Sequence, residues 1–190
     1  MGNIDFNSLR DKAYKIAKDH GFHEKKISDE HCLVLVISEL SEALEAYRKG
    51  RCLYENRDVY NEEKEKVNNR LDKNDSLAFD FVFGNNIKDT FEDELADTVI
   101  RLLDLAGFKG YEIPYKEYMK VYIKNKSVPE HIFIIISTIV STDFLLKDRI
   151  GYCIRYIFEL SEKMGIDILW HIENKMRFNE LMSYKHGKRF

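Results

Sequence analysis

Apolar residues recur at three- and four-residue intervals along most of this chain, the period of helices that bury one face. Leu9, Ala13, Ile16 and Ala17 form such a stripe near the start, with Asn7 or Ser8 placed to cap a helix running to about Asp19 and Gly21 to stop it. A second helix is expected from about Ser28 or Asp29 to Lys49, ending at Gly50, with Val36, Leu40, Ala43 and Tyr47 as its main apolar stripe. Phe91, Leu95, Val99, Leu102 and Ala106 align on another, expected over roughly Asn86 to Ala106 with Gly107 as its stop. After Pro114, helices are expected near Tyr115 to Lys124, Glu130 to Phe144, Lys147 to Met164 and Asp167 to Met182. The apolar run Ile132 to Val140 leaves strand and helix both open: its β-branched residues favour a strand, Pro129-Glu130 before it a helix start, and its neighbours tip it to helix. That run is about half of the roughly 20 residues a helix needs to cross a bilayer, so no membrane partner is expected.

Between the second and third helices the pattern changes. From Arg51 to Asp75 the chain is charged and Asn-rich, which reads as an exposed insertion, part helix and part loop, followed by Phe79-Asp80-Phe81-Val82-Phe83 as a docking segment. Composition agrees with helices: Gly 9 and Pro 2 in 190 residues fall near half of the usual share of about 12 % for the two together. A sandwich or barrel needs turn residues at every strand connection. The expectation is one all-α domain over 1–190, a helical bundle with a four-helix core and insertions at about 51–85 and 110–148. A net charge of −3 offers no field for a nucleic-acid backbone, so nucleic acid is not an expected partner. Cys32, Cys52 and Cys153 form no paired-Cys motif, and the first residues lack the basic end and apolar core of a signal peptide; a cytoplasmic protein is the expectation.

Two of the expected helices carry acidic residues three apart, Glu39-Leu40-Ser41-Glu42 and Glu94-Leu95-Ala96-Asp97. That spacing puts both side chains of a pair on one face, within reach of a common ion. Glu39 and Glu42 share a sector with Leu35 and Ala46, beside apolar surface. Glu94, Asp97, Arg101 and Asp104 form one polar face, which taken alone reads as solvated surface laced by Asp97 and Arg101 at i,i+4. If the four carboxylates converge, hard oxygen ligands without His or Cys suit magnesium or manganese, and with them phosphoryl or nucleotidyl transfer. A carboxylate-bridged iron centre is not expected, because no glutamate has a histidine three residues later. The chain ends in a third feature, Lys175-Met176-Arg177-Phe178-Asn179 followed by Tyr184-Lys185-His186-Gly187-Lys188-Arg189-Phe190, which concentrates basic groups suited to anionic oxygens.

In this order, Glu39-x-x-Glu42, Glu94-Leu95-Ala96-Asp97 before an apolar helix, and Lys175-x-x-x-Asn179 with a terminal Lys185-His186-Gly187-Lys188 resemble the MazG-type nucleoside triphosphate pyrophosphohydrolases of the all-α NTP-pyrophosphatase superfamily. The resemblance implies magnesium held by Glu39, Glu42, Glu94 and Asp97, and hydrolysis of a nucleoside triphosphate to a monophosphate and pyrophosphate. It also implies contacts to phosphate or sugar from Lys175 and Asn179, closure of Lys185 and Lys188 over the phosphates, and a homodimer or higher homo-oligomer. Glu39 or Glu42 is the expected base, since adjoining apolar surface raises a carboxylate pKa. Two departures stand out. The connection between the acidic helices is longer than the family's, and Leu181-Met182-Ser183 stands where the family often has an arginine soon after the asparagine. The alternative from a different class is a non-catalytic helical interaction or scaffold protein.

Other candidates read as structural. His20-Gly21-Phe22-His23 has metal-like spacing but spans a helix end without nearby ligands, and is expected at the surface or as a cap. Tyr111, Tyr115, Tyr118 and Tyr122 make an aromatic stripe expected in core or interface. No phosphate-binding loop, dinucleotide fingerprint or nucleophile elbow is present.

Overall fold

The computed structural model describes residues 4–187 apart from 26, 72–74 and 115–120. Among the described residues there are eight α-helices and no strand: α1 Phe6–Asp19, α2 Asp29–Arg48, α3 Arg57–Leu71, α4 Ser76–Asn86, α5 Phe91–Lys109, α6 Val128–Val140, α7 Leu146–Met164 and α8 Ile168–Leu181. Each start has a local cause. The Asp5 carboxylate accepts the Asn7 and Ser8 N–H groups at 3.1 and 3.0 Å, Ser28 Oγ accepts from His31, and Asp167 accepts from Trp170, so the orphan donors of α1, α2 and α8 are met by short side chains.

Helix α5 is the centre of the bundle. It packs against α1, α2 and α8, and also against α7. Its apolar side chains are therefore buried on several faces, Leu95, Ala96, Val99, Leu102 and Leu103 among them. The four-helix core expected from sequence is α1, α2, α5 and α8, and it contains both acidic helices and the Lys175–Asn179 turn.

The charged stretch after α2 folds as an α3–α4 hairpin. Helix α3 is mostly solvated and buries Tyr60 and Val67; α4 turns Phe79 and Phe83 inward, where they meet Val67, Ile87 and Phe178 in a second, smaller apolar cluster against α8. The other addition is the α6–α7 pair, with α6 on α2 and α7 on α5. The ambiguous run 132–140 is helical, within α6, led in by a capping box at Ser127 and Glu130.

Several boundaries differ from the sequence reading. Asp5, not Asn7 or Ser8, caps α1, and α6 ends at Val140, short of Phe144. Helix α5 starts at Phe91, not near Asn86, because Thr90 is its cap and Asn86 ends α4. It runs through Gly107 and stops at Gly110, whose φ of 67° is the left-handed conformation glycine adopts freely. Gly107 is needed for closeness instead: a Cβ there would stand 2.5 Å from Tyr14 Cβ on α1. Of the helix expected over 115–124, residues 115–120 lie outside the described residues, as do Tyr115 and Tyr118 of the aromatic stripe, and 121–124 are not helical.

Candidate metal centre

Helices α2 and α5 bring Glu39 against Glu94 and Asp97, so that carboxylate oxygens of the three lie within 4.8 Å of one another. They stand on the wall of a cleft of about 390 Å³ that is also bordered by Glu42, Lys88, Arg101, Lys175 and Asn179. Glu39 and Glu94 are buried, which reverses the reading of the α5 polar face as solvated surface. Arg101 likewise does not lace α5 to itself. Its Nε donates to Glu39 Oε1 at 3.0 Å, a bridge to α2.

Electrostatics here are those of too many acids in too little water. Burial, then Asp97, pushes the Glu94 carboxyl up to about 8. Glu39 is raised by the same two causes, opposed by Arg101. Burial works against the charge of Arg101, but Glu39 and Asp97 outweigh it and hold the guanidinium above its usual range.

Asp93 is the residue that sequence spacing missed. It is fully buried one position before Glu94, accepts the Asp89 N–H at 3.0 Å, and is pushed up to about 6 by burial against the pull of Lys175. Its Oδ1 is buried with no hydrogen-bond partner. Lys175 closes the network from α8: its ammonium donates to Asp93 and lies 2.9 Å from Asp97 Oδ2. Burial disfavours the Lys175 charge, yet the two aspartates overcome it and raise the group well above the ordinary lysine range. The signal for Asp93 was an acidic residue in the first turn of α5 with a lysine on α8, legible once the helices are paired.

The remaining expected residues divide by position. Glu42 is exposed at the cleft rim, outside the close three-carboxylate cluster, and accepts from Ser38 Oγ at 3.2 Å. Apolar burial, offered as a reason for a base, therefore applies to Glu39 and not to Glu42. Asn179 is half-buried on the cleft wall one turn beyond Lys175. Lys185 borders an adjoining hollow, not the cleft; its N–H donates to the His20 carbonyl at 3.0 Å, and its ammonium sits over the Tyr184 ring. Lys188 lies outside the described residues.

Of the two histidines between α1 and α2, His20 is the C-cap of α1, as expected, and His23 is not at the surface. His20 bridges the Ile16 and Met182 carbonyls through its two ring nitrogens, tying α1 to the chain after α8. The His23 ring is buried, stacks on Phe108 and meets Asp104 at 2.7 Å. The cysteines are free, and burial pushes the thiols of Cys32, Cys52 and Cys153 up to about 11, 12 and 12, away from reactive thiolates.

Comparison with protein-family models, with curated proteins and with solved structures finds no match for this chain. The fold and cleft define an all-α helical bundle with a buried acidic cluster, and a functional reading has to be argued from that cluster. No helix among the described residues is long and apolar enough to cross a membrane.

Proposed function

We propose that this protein is a magnesium-dependent nucleoside triphosphate pyrophosphohydrolase, with manganese as an acceptable substitute. The observation that carries the reading is the meeting of Glu39 with Glu94 and Asp97 from two helices. Three hard oxygen donors without sulfur or imidazole, one of them raised to about 8 by its neighbours and burial, fit a small divalent cation that relieves their repulsion. When bound, that ion offsets the negative charge of a triphosphate.

The chain's own residues supply the rest. Glu39, Glu94 and Asp97 are the proposed ligands. Glu42, on the same wall but outside the close cluster, is the carboxylate free to orient the attacking water and take its proton. Water adds its oxygen to the α-phosphorus, the bond to the bridging α–β oxygen breaks, and pyrophosphate leaves. Asn179 borders the cleft where it can hydrogen-bond phosphate or sugar. Lys175 is engaged by Asp93 and Asp97, so its part is to balance and position the acidic wall. Lys185 and Lys188 are proposed to close over the phosphates, and a second copy of the chain is the proposed partner, tested by sedimentation.

Product analysis separates the readings. Incubation with magnesium and a panel of nucleoside triphosphates, followed by phosphorus NMR, is expected to give monophosphate and pyrophosphate. Diphosphate with inorganic phosphate, or no turnover with any substrate, contradicts the proposal.

A further inference from the structure

A second cavity, of about 960 Å³, opens between the C-terminal end of α5, helix α6 and the first turns of α7. It lies about 20 Å from the acidic cluster, the rise of α5 from Asp97 to Gly110. Its chemistry is the reverse of the cleft's. Lys147, Arg149 and Arg155 border it, together with the rings of Tyr111, Phe144 and Tyr152. Two carboxylates, Glu112 and Asp148, also border it, and both are exposed.

Arg155 carries the inference. Its guanidinium is half-buried, Nε is shut off from solvent with no hydrogen-bond partner, and burial lowers its pKa, only partly offset by Asp148. Buried arginines are normally matched to carboxylates or carbonyls, as Arg101 is to Glu39. The guanidinium folds back over its own helix, Nη1 in ordinary contact distance, 3.4 Å, of where a Cβ on Gly151 would stand one turn earlier. Arg149 is partly used, with Nη1 donating to the Ile139 carbonyl at 2.7 Å and Nε unpaired and buried. Uncommitted cationic groups beside three aromatic rings suit an anionic oxygen group joined to a flat ring.

We propose that this cavity binds a nucleoside monophosphate, with Arg155 and Lys147 on the phosphate and the tyrosines against the base. The site stands whether or not the acidic cleft hydrolyses triphosphates.

The test is calorimetric titration of the full chain with AMP, GMP, CMP and UMP in EDTA, which removes metal from the acidic cleft. At least one monophosphate is expected to bind. Arg155→Met and Lys147→Ala are each expected to weaken it about tenfold or more, while Asp97→Asn leaves it unchanged. Lys147 is exposed, so its variant keeps the assay meaningful if Arg155→Met fails to fold. The matching nucleoside and inorganic phosphate are each expected to bind about tenfold or more weakly than the monophosphate. No binding at millimolar nucleotide overturns the proposal, as does binding lost in Asp97→Asn and kept in Lys147→Ala. Inorganic phosphate binding as tightly as the monophosphate overturns the ring contact, and the nucleotide assignment with it.

Discussion

Lys175 places a buried ammonium against Asp93 and Asp97. Removing one partner of such a buried pair leaves the other charge uncompensated, so Lys175→Met is expected to lower unfolding free energy by about 3–5 kcal/mol in urea titration. A loss below about 1 kcal/mol, the range of exposed pairs, would mean that the pair is solvated and not buried. His171 gives a pH signature from α8's buried face. Fully buried, with Nε2 3.1 Å from the Tyr60 hydroxyl, it is lowered to about 3, first by burial and then by Lys64, with Asp167 acting the other way and Lys175 adding to the fall. Its folded pKa lies below the unfolded value, so its contribution is complete above about 6.5 and is lost as pH falls toward 3. The raised carboxyls of Glu94 and Asp93 act in the opposite sense as pH falls, so the His171 contribution is read as a difference: wild type is expected to lose stability relative to His171→Gln across that window, by up to about 1.4 kcal/mol per pH unit in thermal melting. A constant difference between the two proteins would remove His171 as its source. At this scale the sequence revealed Glu39, Glu94 and Asp97 because spacing along one helix sets which side chains share a face. It concealed Asp93 and the true partner of Arg101, because both contacts cross between helices and depend on rotation about two axes at once.

Helix α5 is the element on which the site depends, and its first turn is fixed by Thr90. Thr90 Oγ accepts the Asp93 N–H at 3.3 Å and donates to the Ile87 carbonyl at 2.7 Å, so the cap also anchors the residue facing Lys175. Thr90→Ala is expected to cost about 1 kcal/mol in denaturant unfolding; no change would show that the cap contributes nothing there. Farther along, Gly107→Ala sets two effects against each other. Helix propensity favours alanine by about 1 kcal/mol, while the new methyl would stand 2.5 Å from Tyr14 Cβ and 3.0 Å from its Cγ. Backbone-anchored atoms cannot swing aside, so overpacking of about 1–3 kcal/mol should win and the melting temperature should fall. A rise would mean that α1 and α5 sit farther apart. Helix existence was legible from period and caps, including the ambiguous run in α6. Helix ends were less so: a glycine that stops a helix and one that admits a neighbouring helix look the same in one dimension, as Gly110 and Gly107 demonstrate.

Across the whole molecule, the scarcity of glycine and proline foretold an all-α bundle, and the order of motifs along the chain matches the order in which α2, α5 and α8 contribute to one cleft. The insertions expected at about 51–85 and 110–148 hold the α3–α4 pair and helix α6, and the second of these borders the basic cavity. In the first of them the sequence marked Phe79-Asp80-Phe81-Val82-Phe83 as a docking segment but assigned it no helix; Phe79 and Phe83 do dock, and that they do so from α4 onto Phe178 is settled by tertiary packing. The central claim is that Glu39, Glu94 and Asp97 hold one class of divalent ion. Manganese titration followed by electron paramagnetic resonance measures it directly, because bound ion leaves the sharp signal of the free ion. Wild-type protein is predicted to take up manganese, Glu94→Gln and Asp97→Asn to lose that uptake, and Glu45→Gln, exposed and paired with Arg48 and Lys49 outside the cleft, to retain it; equal uptake by all four would contradict the account.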